Sequence, residues 1–193
     1  MDYKGDKFYL ELVLSGKRNS YAHIVDRHKD KVFTLALKIC GNNEDAEEVA
    51  QDSFVKAFRS LRSFKSRSSF STWLYRIVYN TAISHLRRNK TPVLQIEDFP
   101  ADSVDFLRDN ESEESADKEY RKTLLNFALK KLKPDERALI SMHYYQELCI
   151  DEMSAITGYT ASNLKVKLFR ARKHMKEILH KNTLKEDLLY ERV

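Results

Sequence analysis

The stretch SSFSTWLYRIVYNTAISHLRR, Ser68–Arg88, reads as one helix with two unlike faces. Phe70, Leu74, Ile77, Val78 and Thr81 recur at helical spacing and form an apolar stripe. At about 100° per residue, Arg76, Asn80, Ile83 and Arg87 fall together on the opposite side. Trp73, Tyr75 and Tyr79 lie at or near the edge of that polar face. Arginines, an amide and flat rings on one face suit nucleic acid: cations meet phosphates, the amide reads a base edge, and rings stack on unpaired bases. A core helix with a solvated basic face is the competing explanation, and the flanking sequence has to decide between them.

Upstream lies RSFKSRSSF, a short basic connection with Arg62, Lys65 and Arg67 around Phe64. Phe64 has two readings here: a plug for the core, or a ring that meets a base. The helix before it starts at Asn43, a good N-cap, with Glu44 and Asp45 against its positive dipole end, and runs to about Leu61. Ala46, Ala50, Phe54, Ala57 and Leu61 lie on one side; Glu48, Gln51, Asp52, Val55 and Arg59 lie on the other. That second face is either plain solvated surface or a protein-docking face. Earlier still, Tyr21, Ile24, Val25, Val32, Phe33, Ala36 and Ile39 make a longer amphipathic helix that stops near Gly41. Residues 5–17 form a short helix with Phe8, Leu10, Val13 and Leu14 as its apolar members. This first domain spans 1–90.

Downstream the composition changes. Residues 1–96 carry a net charge of +7, residues 97–119 carry −8, and residues 120–193 carry +6, giving the chain its net +5. Two basic blocks thus flank EDFPADSVDFLRDNESEESADKE, which lacks an apolar period. Segment 91–119, which contains Pro92 and Pro100, reads as an acidic flexible linker. The second domain, 120–193, opens with a helix from Tyr120 to Lys131 that has Leu124, Leu125, Ala128 and Leu132 as core. Pro134, Asp135 and Glu136 start another, with Ala138, Leu139, Met142 and Tyr145 buried. Ile150–Thr157 is a short helix ended by Gly158 in the left-handed conformation, and Thr160 or Ser162 caps the next. Leu164, Leu168, Ala171, Met175 and Ile178 then repeat at helical spacing. Two helices joined by a tight turn with Gly give a helix-turn-helix. Asn163, Lys165, Val166, Phe169, Arg170 and Lys173, flanked by Lys167 and Arg172, face away from the leucines. That composition suits a recognition helix in the DNA major groove.

The expected fold class is therefore all-α: two small helical domains, the C-terminal one a helix-turn-helix. With 193 residues, four glycines and three prolines, long helices are expected and tight turns are few. A pI near 9 is consistent with a polyanionic partner. No run of 18 apolar residues and no signal-peptide pattern appear, so no membrane insertion is expected and the chain is placed in the cytoplasm. Cys40 and Cys149 lie in apolar helical patterns without metal-ligand spacing and are expected to be buried free thiols. The six histidines are scattered. No metal site, cofactor, P-loop or nucleophile–base pair is expected, so the chain is not read as an enzyme.

These residues together resemble bacterial RNA polymerase sigma factors of the extracytoplasmic-function (ECF) group of the sigma-70 family. The resemblance covers roughly residues 21–88 and 124–178. DAEEVAQDSFVKAF resembles the segment that docks on core RNA polymerase, which implies docking roles for Glu48, Gln51, Asp52 and Val55. FSTWLYRIVYNTAISHLRR resembles the segment that reads and melts the −10 element. It implies contacts to single-stranded non-template DNA from Phe64, Lys65, Arg67, Trp73, Arg76, Tyr79, Asn80 and Arg87. The helix-turn-helix ending in LFRARKHMKE is similar to the −35 reader and implies duplex contacts from Thr160, Ser162, Asn163, Lys165, Val166, Lys167, Phe169, Arg170 and Lys173. The family also implies an anti-sigma partner and an acidic connector that threads polymerase channels otherwise holding RNA. It usually has Asp where Glu48 stands, Thr–Val where Asn163 and Leu164 stand, and a small polar residue where Val166 stands. The segment after Lys181 lies outside the resemblance. A stand-alone helix-turn-helix regulator is the alternative; it accounts for residues 134–178 but leaves the aromatic–arginine helix unexplained. A nucleic-acid enzyme would need clustered carboxylates or a Tyr or Ser nucleophile, and the only dense carboxylate cluster is in the linker.

Overall fold

In the computed structural model, residues 5–89 and 115–190 are described; most of the acidic segment, residues 90–114, lies outside them. The described residues are all-α. Helix α1 spans Asp6–Leu14, and a 3-10 turn, Arg18–Ser20, leads into α2, Tyr21–Cys40. Helix α3 is Asn43–Ser60, followed by a second 3-10 turn, Leu61–Ser63, and α4 is Phe70–Arg88. After the acidic segment come α5 (Ser115–Lys131), α6 (Pro134–Tyr144), α7 (Ile150–Thr157) and α8 (Ala161–Tyr190).

The joints follow from local chemistry. Gly41 takes a φ of 92°, which a side chain resists, and its amide reaches Leu37 O at 2.8 Å to close α2. The cap of α3 is Asn42 and not Asn43. Asn42 is the first extended residue after the glycine turn, and its Oδ1 accepts from the Asp45 amide at 2.8 Å. Asn43 is already helical. Ser69 caps α4 by accepting from the Thr72 amide at 3.1 Å. Pro134 opens α6, with the Glu136 carboxylate accepting from the Lys133 amide. Gly158 (φ 78°) ends α7, and Thr160 Oγ1 accepts from the Asn163 amide at the start of α8.

Helices α2, α3 and α4 pack around Ile24, Leu35, Ile39, Val49, Leu74 and Val78, all essentially without solvent exposure. Leu10 and Val13 pin α1 to them. In the C-terminal half Leu139, Met142, Met153, Ile156 and Leu164 are equally buried. The two sets form one continuous core, because α6 packs on α2 and α7 packs on α4. The sequence left the mutual placement of the halves open.

Four local expectations are corrected. Helix α5 begins at Ser115 and not near Tyr120. Leu125 stays exposed, and burial in that helix sets in at Ala128, Leu129 and Leu132. Tyr145 is also exposed, its ring lying under the Lys38 ammonium at 4.6 Å from the centroid. Cys40 is buried as expected, but Cys149 is exposed. It stands at the N-cap of α7, where its amide donates to the Glu152 carboxylate at 3.0 Å. After Lys181, α8 continues as helix to Tyr190.

Candidate nucleic-acid interface

The three groups of residues singled out in the sequence occupy three surfaces. On α3, Glu48, Gln51 and Val55 are exposed and Asp52 is half-buried, paired with Lys56 at 3.6 Å. Phe58, which the sequence did not single out, adds exposed ring surface one turn beyond Val55 and lies edge-on to Tyr21 at 5.0 Å. The face is braced from behind. Buried His85 of α4 meets Asp45 at 2.7 Å, and its other ring nitrogen lies 3.6 Å from Glu48. Burial works against the charge on Asp45, but hydrogen bonds from Asn42 and His85 outweigh it and hold the carboxyl below its ordinary value.

The second surface is the loop before α4 and the exposed side of α4 itself. Lys65 and Arg67 are exposed, and Ser66 between them adopts a φ of 52°. Phe64 is half-buried. It packs on Phe70 at 5.6 Å and on Trp73 at 5.3 Å, so one face of the ring joins the core and the other borders a cavity of about 300 Å³. The contacts with Phe70 and Trp73 fit the reading of Phe64 as a plug for the core. Trp73, Arg67, Arg76 and Thr72 line the same cavity, and Ala155 of α7 closes one side. Arg76, Asn80 and Arg87 are exposed, as their helical phase requires.

Tyr79 departs from expectation. It is only 6% exposed, and its hydroxyl donates to Asp135 Oδ1 of α6 at 2.7 Å. Tyr75 is likewise buried and donates to Gln146 at 3.2 Å. Burial pushes the Tyr75 hydroxyl up to about 12. Burial, followed by the bond to Asp135, raises Tyr79 further still.

The third surface is α8. Thr160, Ser162, Asn163, Lys165, Val166, Phe169, Arg170 and Lys173 are exposed on one side, with Phe169 at 63%. Val166, one turn before it, is exposed on the same side, so two apolar side chains stand among the cations. Lys167 is different: its ammonium is half-buried, bound to Asp135 Oδ2 at 2.9 Å and placed 4.5 Å over the Tyr159 ring. Arg172 donates to the Tyr144 hydroxyl at 3.3 Å. The structure therefore joins two candidate residues from different surfaces, Tyr79 and Lys167, through Asp135. Sequence reading treated Asp135 only as an acid in the first turn of α6. No local pattern marks it, because its partners come from α4, α8 and the turn before α8.

Comparison with known proteins points one way. A family model for sigma-70 region 2 matches residues 24–91, and one for sigma-70 region 4 matches residues 123–175. The ECF RNA polymerase sigma factor SigW of Bacillus subtilis is 30% identical over 178 residues, covering 88% of this chain and 94% of that protein. The RNA polymerase sigma-H factor of Pseudomonas aeruginosa is 28% identical over 182 residues, covering 90% and 93%. The same fold is seen in the sigma factor RpoE solved with the anti-sigma factor NepR from Bartonella quintana, with a TM-score of 0.65 at 20% identity over 83% of this chain and 96% of that one. It is also seen in CnrH solved with the cytosolic domain of CnrY, with a TM-score of 0.63 at 21% identity over 92% and 99%. The chain belongs to the sigma-70 family of RNA polymerase sigma factors, in its ECF group.

Proposed function

We propose that this chain gives core RNA polymerase its promoter specificity through three surfaces used in concert. The observation that carries the reading is the pairing, in one chain and in this order, of the region 2 match with an exposed Arg–amide face bordered by the half-buried Phe64 and Trp73, and the region 4 match with an exposed basic helix.

The first domain, 1–90, docks on polymerase and reads the −10 element; the second, 120–193, reads the −35 element; residues 91–119 connect them. Docking uses Glu48, Gln51, Asp52 and Val55, where exposed acids and amides ring an apolar centre. On the −35 element, Lys165, Arg170 and Lys173 meet phosphates and set the register, while Asn163, Val166 and Phe169 face base edges and thymine methyls. At the −10 element, a base leaves the stack and enters the cavity beside Phe64 and Trp73, with Lys65, Arg67 and Arg76 on the flanking phosphates. Asn80, Tyr79 and Arg87 extend that track along α4. Unstacking a base costs a few kcal/mol, and stacking on an aromatic ring returns about 1–3 kcal/mol. The remainder comes from phosphate contacts and from polymerase itself. The chain performs no bond-making chemistry of its own in this scheme and acts in the cytoplasm, where polymerase and promoter are. No helix among the described residues is long and apolar enough to cross a membrane. An anti-sigma protein is the expected inhibitor, as the structurally similar RpoE was solved with the anti-sigma factor NepR.

The test is run-off transcription by core polymerase on a promoter library. Wild-type chain selects a defined pair of elements. Phe64→Ala keeps the −35 preference but loses open-complex formation. Transcripts independent of the added chain would refute the reading.

A further inference from the structure

We propose that Asp6 and His28 are positioning residues for the cavity beside Phe64 and Trp73, acting through a chain of contacts that runs from α1 across α2 to the ring wall. That the cavity takes a −10 base rests on the function proposed above; the relay to its wall does not.

His28 of α2 is buried, and its Nε2 lies 2.9 Å from Asp6 Oδ2 of α1. An ionised carboxylate only accepts, so Nε2 carries the proton and donates it. Arg27 Nη1 donates to the other oxygen of Asp6 at 2.6 Å. Both carboxylate oxygens are thus engaged, each by one of two successive residues of α2. The imidazole is fixed at its tip by a neighbouring helix, and α1 is itself pinned to the core by Leu10 and Val13.

The imidazole in turn meets Phe70, the first residue of α4. The two rings lie edge to face at 5.5 Å and 63°. Phe70 is buried and stands behind the cavity, against both rings that line it. Phe64 lies 5.6 Å from Phe70, nearly perpendicular at 83°, and Trp73 also lies 5.6 Å from it. Phe64 and Trp73 are 5.3 Å apart. In a close-packed interior, three rings in mutual contact do not shift singly. A tilt of His28 therefore moves Phe70, and Phe70 sets the angle between the cavity walls. Phe64 is the wall most open to this effect, because it comes from non-helical backbone. A buried histidine bonded to a carboxylate is commonly no more than a filled core position. This one stands directly behind the aromatic pair on which a base would stack, and stacking depends on the offset and tilt of the ring beneath.

The test uses the full-length free chain, in which Trp73 is the single tryptophan. Its emission and its quenching by acrylamide report on the cavity wall alone. A single-stranded DNA oligonucleotide of mixed sequence, at fixed salt, serves as the binding probe. Asp6→Asn keeps the shape but removes the charge that holds His28 and Arg27. His28→Gln keeps a donor for Asp6 but takes the ring away from Phe70. Two controls accompany them. Asp26→Asn removes an exposed charge of α2 that is paired only with Lys29. Asn42→Ala removes the cap of α3, beyond the far end of α2, and lowers stability without touching the relay.

The expected result for Asp6→Asn and His28→Gln is emission shifted to longer wavelength and faster quenching by acrylamide. Oligonucleotide binding weakens by about fivefold, the low end of what one stacked base contributes. Helical content by circular dichroism stays at the wild-type level, and both controls match wild type in emission and binding. Wild-type emission in Asp6→Asn, or an equal shift in Asn42→Ala, would overturn the relay and leave the pair as a stability element alone. A wild-type chain whose Trp73 emission does not respond to the oligonucleotide would refute the −10 reading, while the emission of the free variants still decides the relay.

Discussion

A cysteine in the core and a cysteine at a helix cap differ in chemistry although the sequence places both in apolar surroundings. Cys40 is buried, and burial, with the nearby Asp45 carboxylate, pushes its thiol up to about 12. Cys149 is exposed. In the native state at pH 8 one thiol per chain should react with a disulfide reagent, and both should react in denaturant. Rapid reaction of both in the native chain would contradict the packing of α2 on α6. The helical period made Phe70, Leu74 and Val78 legible as core and Arg76, Asn80 and Arg87 as surface. It could not place Tyr75 and Tyr79, because the residues that cover them belong to the other half of the chain. On the recognition helix, Lys165→Ala should weaken binding to a −35 duplex for all sequences alike and flatten its salt dependence by about 0.9 in the log–log slope. An unchanged slope would remove Lys165 from the phosphate contacts.

At the scale of elements, the helices were legible from periodicity and caps, but their ends shifted by a residue or a turn where the turn chemistry was read one position off. The joint between α2 and α3 is the clearest case. Replacing Asn42 with Ala should cost about 1 kcal/mol of stability in urea unfolding, whereas Asn43→Ala, inside the helix and away from the cap, should cost less. The same joint carries a pH signature. Asp45 sits below its ordinary carboxyl value, so its contribution is fully present above the unfolded value of about 4 and is lost as pH falls through the lower folded value. The difference between wild type and Asn42→Ala should hold steady from neutral pH to about pH 5 and narrow below that. A gap that widens in acid would contradict the bonding at Asp45. At the other end, Gly158→Ala meets no atom within 4 Å but must adopt a φ of 78°. It should lose about 1–2 kcal/mol from backbone strain alone, seen as a lower Tm, and should weaken −35 binding by loosening α7 against α8.

On the scale of the whole molecule, the charge blocks were visible in composition, and the family resemblance identified the two halves. What composition cannot carry is how two basic halves lie against each other. The structure answers with a contact that is polar at its centre, where Asp135 neutralises Lys167 and engages Tyr79, and apolar around it. Bringing two positively charged bodies together in this way is easier with a carboxylate between them. The face of α3 proposed for docking lies apart from that contact: Glu48, Gln51 and Val55 are exposed.

That exposed face of α3 can be probed with core polymerase itself. Purified bacterial core RNA polymerase is mixed with wild-type chain and with the double variant Glu48→Lys, Gln51→Ala, and the complexes are separated by size-exclusion chromatography. A stable wild-type complex is expected, with its loss in the double variant and the variant's helical content and duplex binding unchanged. A double variant that binds core as tightly as wild type would contradict the docking assignment, and a wild-type chain that binds duplex DNA but never core would contradict the sigma function itself.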